Sequence, residues 1–138
     1  MATIIQQVIF KNVKTKQVYD LYMDPKLHGM ITNGKVKISA RPGSKLHVFD
    51  GYITGKTLLT VKNRLIVQEW IGSDWGEKAE PSVFSLSFEQ KGRDVVMNVF
   101  HANVPDKNAS SLDKGWHDHY WKPWKEYLAG KEITRPEN

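Results

Sequence analysis

The chain has 138 residues, 40% hydrophobic and 25% charged, a balance ordinary for a soluble globular protein and sufficient for one buried core. It contains no cysteine, which excludes disulfides, thiolate catalysis and cysteine-bound zinc. The net charge of +5 raises nucleic acid as a partner. However, Lys35 and Lys37 alternate with Val36 and Ile38 as on the wet face of a strand. A nucleic-acid site concentrates basic residues among exposed aromatics or glycines, so no nucleic-acid partner is expected.

The N-terminal MATIIQQVIFKNVK lacks a basic lead-in to a long apolar run, and no apolar stretch approaches membrane-spanning length. One cytoplasmic domain, 1–138, without a membrane partner is expected. Ala2–Phe10 is rich in β-branched residues and reads as a strand, with Ile4, Val8 and Phe10 on one face and Ile5 and Ile9 on the other. Val18, Leu21 and Tyr22 then share a helical face, which predicts a helix over Thr15–Met23 capped by Thr15. Asp24-Pro25 restarts the chain as a second short helix, ending near Met30.

The next stretch alternates with period two. Strands are expected over 35–40, 45–49, 52–61, 64–71, 82–89 and 94–102, joined by turns at Arg41-Pro42-Gly43-Ser44, Asp50-Gly51, Lys62-Asn63 and Gly92-Arg93. The segment 72–81 is polar and Gly-containing and reads as the longest loop. Strands joined by short turns are antiparallel.

The last stretch, 111–130, places Leu112, Trp116, Tyr120, Trp124, Tyr127 and Leu128 in one helical stripe, opposite Lys114, Asp118, Lys122 and Lys125. A helix with that much aromatic area needs a large apolar surface, and the sheet, curled around it, is the one available. Pro123 lies inside the pattern, so a kink is expected there, with the stripe continuing in phase beyond it.

Several short stretches, taken in order, carry a family resemblance. They are Asp24-Pro25, the Arg41-Pro42-Gly43 turn, Asp50-Gly51 followed by Gly55, and the apolar strand Leu65 to Trp70. His101 to Pro105 (HANVP) matches an H-x-G-V-P strand end, and Gly115-Trp116 with Tyr120 matches a G-W-x-x-x-Y/L helix. The chain resembles the Hsp-90 ATPase activator-like proteins of the START-like (SRPBCC, Bet v-type) superfamily along essentially its whole length. It departs at Asn103, where that family often has Gly, and at Pro123. The resemblance implies an α+β helix-grip fold: a curved antiparallel sheet wrapped around a long C-terminal helix, with two short helices between the first two strands. It also implies two roles. One is binding a small hydrophobic ligand between sheet and helix. The other is co-chaperone work, binding Hsp-90 and stimulating its ATPase in the stress response. The eukaryotic co-chaperones carry a separate N-terminal domain that does much of the docking; none is expected in this single-domain reading, so the Hsp-90 role does not carry over by family name alone, and ligand binding is expected first.

Catalytic patterns are lacking. His117 and His119 are two apart and point to different sides of a helix, so they make no metal pair, and there is no H-E-x-x-H, G-x-S-x-G or phosphate loop. A non-catalytic protein without cofactor or metal is expected, with His101, Gln68 and Tyr120 the only polar candidates for cavity chemistry. His101 reads either as a buried histidine bonded to a neighbour or as a polar contact for a ligand. Trp70 reads as core, or as an aromatic wall with its indole N–H free for a ligand. The cavity wall is expected to draw Ile38, Leu46, Val48, Trp70, Phe84 and Leu86 from the earlier strands. Met97, Val99 and His101 come from the last strand, and Trp116 and Tyr120 from the helix.

Overall fold

The computed structural model describes residues 1–135. Six antiparallel strands form one sheet in the order β1-β6-β5-β4-β3-β2. They are β1 (Ala2–Phe10), β2 (Lys45–Val48), β3 (Ile53–Val61), β4 (Leu65–Gly72), β5 (Ser82–Lys91) and β6 (Asp94–Val104). Helices α1 (Thr15–Met23) and α2 (Pro25–Thr32) lie between β1 and β2, and the C-terminal helix crosses the sheet's inner face.

Burial along β1 alternates as its sequence predicts, with Ile4, Val8 and Phe10 inside and Ile5 and Ile9 outside. Helix α1 is opened not by Thr15 but by Lys14, whose N–H donates to Gln17 Oε1 at 2.8 Å, while the Thr15 N–H is taken by Gln90 Oε1. Asp24 caps α2 by accepting from the N–H groups of Lys26 and Leu27, and Asn33, at φ 58°, ends it.

The segment 35–40 is not a strand. It makes a single bridge, Lys37 to His47, because other partners take its carbonyls: the Thr57 hydroxyl donates to Ser39 O at 2.8 Å and the Thr60 hydroxyl to Ala40 O at 3.0 Å. Strands β3 and β4 approach closely at Gly55, which pairs with Trp70. A Cβ at Gly55 would lie 1.8 Å from the Glu69 carbonyl oxygen, so only glycine fits. Strand β6 runs on to Val104 through Asn103 at φ 62°. Asn is among the few residues that tolerate this conformation, so the departure from Gly is conservative in backbone terms.

The C-terminal helix starts earlier than the aromatic stripe suggests. It comprises α3 (Asp106–Trp116), a π turn (His117–Trp121) and α4 (Lys122–Leu128). The Lys122 N–H bonds the His117 carbonyl five residues back. Pro123 has no N–H for the His119 carbonyl, and the widened turn before it spares the ring the crowding of regular winding. The turn takes up one residue, so the expected stripe does not continue in phase. Tyr120 and Trp121 both face the sheet, Trp124 stays inside, and Tyr127 is 40% exposed.

This phase can be tested by stability. Trp121→Ala should cost about 3–5 kcal/mol, as large buried aromatics do, while Tyr127→Ala should stay within about 1 kcal/mol of the parent in urea melts. The reverse order would mean regular winding through Pro123.

Candidate ligand pocket

Three indoles join helix to sheet. Trp116 stacks on Trp70 of β4 (ring centroids 4.9 Å apart, 29° between planes) and on Trp121 (5.1 Å, 3°). Each ring is fixed by a bond from its own N–H. Trp70 donates to the Tyr22 hydroxyl at 3.2 Å, Trp116 to His101 Nδ1 at 3.2 Å, and Trp121 to Gln6 Oε1 at 2.7 Å. The Trp70 indole N–H is therefore spent inside the protein rather than left for a ligand.

Because His101 Nδ1 accepts from Trp116, the ring proton sits on Nε2 and is donated to Ser82 Oγ at 2.7 Å. The Ser82 hydroxyl passes its own hydrogen to the Trp70 carbonyl at 2.8 Å. His101 is thus a satisfied core histidine, and burial lowers its pKa to about 4. His28, which no pattern in the chain singles out, is held the same way. Its Nδ1–H donates to the Tyr22 carbonyl at 2.8 Å and its Nε2 accepts from the Tyr120 hydroxyl at 2.9 Å; burial sets its pKa at about 4 as well. Gln68 accepts from the Tyr22 hydroxyl at 2.7 Å and donates to Thr57 Oγ1 at 3.2 Å. Burial pushes the Tyr22 and Tyr120 hydroxyls well above their ordinary range, so both remain protonated donors.

With these side chains packed, the space between helix and sheet is closed along most of its length. Ile38, Leu46, Val48, Phe84, Leu86, Met97, Val99 and His101 all lie in the closed core. Trp70, Trp116 and Tyr120 reach a pocket of about 360 Å³ that opens at one end. Its sides are Phe49, Tyr52 and Ile53 around the turn after β2, and Trp75 from the loop after β4. Asn108, Leu112, Gly115 and His119, on one face of the C-terminal helix, complete it with Ser111. The Tyr52 hydroxyl donates to Asp74 Oδ1 at 2.6 Å, tying the loop to the turn, and burial with the neighbouring carboxylate raises its pKa to about 12. Trp75 packs over Gly72, where a Cβ would lie 2.3 Å from the indole nitrogen. Asn108 Oδ1 is buried without a hydrogen-bond partner. Among the described residues no group of three or more His, Asp or Glu side chains could hold a metal ion, and no helix is long and apolar enough to cross a membrane.

The pocket's second half was legible only with the helix start in hand. A helix from Asp106 puts Asn108, Leu112, Gly115 and His119 on one face, whereas a start at Ser111 hides that pattern. Trp75 carried one signal, a large aromatic alone in a polar loop.

Residues 12–129 match the protein family described as Activator of Hsp90 ATPase homolog 1-like protein. The chain belongs to this family. Among curated relatives of this activator-like chain, the human Activator of 90 kDa heat shock protein ATPase homolog 1 is 22% identical over 80% of the chain and 32% of its own length. An uncharacterised protein of Schizosaccharomyces pombe is 25% identical over 79% of the chain and 32% of its own length. The chain thus spans about a third of the curated relatives it matches. The crystal structure of an HSP90 activator from Plasmodium falciparum shares the fold, with a TM-score of 0.82, 18% identity, and 96% and 99% of the two chains covered.

The two buried histidines give this member of the activator-like family a pH dependence of known sign. Unfolded, each protonates near its ordinary 6.5; folded, each resists protonation until about 4. The unfolded state therefore takes up protons first, and stability that is full above pH 6.5 is lost as pH falls toward 4. Each histidine contributes up to about 1.4 kcal/mol per pH unit across that window. Urea midpoints measured down the window should fall, and His28→Gln should flatten the decline. An unchanged slope in the variant would mean that His28 does not stay neutral in the folded protein.

Proposed function

We propose that the chain is a cytoplasmic, non-catalytic binding protein that takes a small, flat, hydrophobic molecule into the pocket beside Trp70, Trp75 and Trp116. The observation that carries this reading is the pocket: about 360 Å³, aromatic on three sides and open at one end. That is at the small end of the roughly 300–1,000 Å³ range of ligand sites, which suits a ligand of one or two rings. Asn108 lines the pocket with its Oδ1 buried and unbonded, so a turn of its side chain would offer one acceptor to a ligand N–H or O–H.

Family membership favours a second reading. The Plasmodium falciparum HSP90 activator is matched over nearly the whole of both chains, so a chain of this extent is compatible with binding an Hsp90 and stimulating its ATPase.

One substitution separates the two readings. Gly115 lines the pocket, and the nearest atom to a Cβ built there is His119 Cδ2 at 3.9 Å, so Gly115→Leu fills the space without a backbone clash. Replacing Gly inside a helix also favours the helix, by about 0.5–1 kcal/mol, so lost binding would not reflect unfolding. Anilinonaphthalene sulfonate should bind the parent and bind Gly115→Leu at least about tenfold more weakly. Equal binding by the two proteins would refute the pocket. If the parent speeds ATP turnover by an Hsp90 and Gly115→Leu does so equally, the second reading holds.

A further inference from the structure

Strand β1 lies at one end of the sheet, and its outer edge is unpaired. The hydrogen-bond phase shows which groups face outward. The Val13 N–H donates to the Arg93 carbonyl, so Arg93 and the alternate residues Val95, Met97 and Val99 turn toward β1. Their partners Phe10, Val8 and Gln6 spend their backbone groups on that ladder. The N–H and C=O groups of Ile5, Gln7 and Ile9 therefore point away from the sheet. Among the described residues no backbone bond from outside the ladder reaches them.

Such edges are ordinarily short, charged or covered. The β2 edge is all three: four residues long, with Lys45 on it and Lys37 bridged across it. The β1 edge is none of them. It runs for nine residues without a charge or a proline, and it presents Ile5 (73% exposed), Ile9 (44%) and the cross-strand neighbour of Ile5, Phe100 (48%), to solvent. Beside it lies a groove of about 590 Å³ between β1 and the C-terminal helix, lined by residues 7–11 with His117, Lys125, Leu128 and Ala129. Leu128 and Ala129 provide an apolar side, and no carboxylate lines the groove. Lys11 is paired with Asp94 at 3.2 Å, whereas Lys125 has no ion pair among the described residues.

We propose that the β1 edge accepts an extended peptide as an added strand, and that this peptide alternates apolar with acidic residues. Main-chain bonds to Ile5, Gln7 and Ile9 supply affinity that does not depend on sequence. The strand's period of two sends alternate side chains to opposite faces, apolar ones onto Ile5, Ile9 and Phe100 and acidic ones toward Lys125 and His117. A second copy of this chain fits the edge less well, since it brings another +5 charge and no carboxylate to the groove. This site is separate from the pocket at Trp75 and stands or falls independently of it.

The test uses a fluorescein-labelled, end-blocked peptide of alternating Glu and Val, and the same peptide with Lys in place of Glu. The acidic peptide should bind at least about tenfold more tightly in anisotropy titrations, and more weakly as salt rises. At saturation, amide hydrogen exchange at Gln7 and Ile9 should slow. Gln7→Pro removes an outward N–H without removing a ladder bond, and it should weaken binding at least about tenfold. Lys125→Glu, which leaves the backbone untouched, should weaken it several-fold. The proposal is overturned if the acidic peptide fails to bind at up to about 1 mM, or if it binds without slowing exchange at Gln7 and Ile9. It also fails if sedimentation finds a dimer that Gln7→Pro dissociates, because the edge is then held by a second copy.

Discussion

The stacking of Trp116 on Trp70 and Trp121 is the contact on which the remaining structure depends. It fixes how far the C-terminal helix stands from the sheet, and so how much room remains between them. Tryptophans bury more area per residue than aliphatics, and each brings one N–H that must be bonded when dehydrated. The positions of His101, Gln6 and Tyr22 follow from that demand, because each accepts one indole N–H. Tyr22 and Gln68 extend the chain to Thr57, and the Tyr22 carbonyl extends it through His28 to Tyr120. What looks in the sequence like a scatter of polar residues in apolar strands is the complement of the tryptophans. Trp124 Nε1, with no partner, is the exception.

This filling also explains why the pocket lies where it does. The indoles close the middle of the helix–sheet interface, and the pocket opens where α3 rises past the end of the stack. There, two irregular segments supply the outer wall: the turn at Phe49–Gly51 and the loop carrying Trp75, which the Tyr52–Asp74 bond holds together. Irregular segments therefore border the candidate site, and the indole stack forms its floor.

The sequence made the sheet, the two short helices and the aromatic helix legible because their periods are local properties of the chain. Ile4, Val8 and Phe10 fall inside for no reason beyond alternation. What escaped was decided by partners distant in sequence. The hydroxyls of Thr57 and Thr60 take the carbonyls of Ser39 and Ala40, and alternation alone cannot reveal such competition. Trp121 escaped because its burial depends on a change of winding that the helical wheel assumes away. The candidate site was legible in its floor, Trp70, Trp116 and Tyr120, and not in its walls, since walls made from a turn and a loop carry no period at all.

The π turn has a further consequence, for how this helix is counted. Widening between His117 and Trp121 accommodates one residue more than a regular helix covering the same path. Beyond Trp121, each side chain occupies the place that regular winding would give to the residue before it. A relative with an uninterrupted helix would reach the position of Trp124 one residue sooner after the position of Trp116. Matching such a chain to this one without a gap would set Pro123 against the residue in the place of Trp124, and Trp124 against the one in the solvent-facing place of Lys125. The equivalences come right only when a single-residue gap is opened between His117 and Trp121.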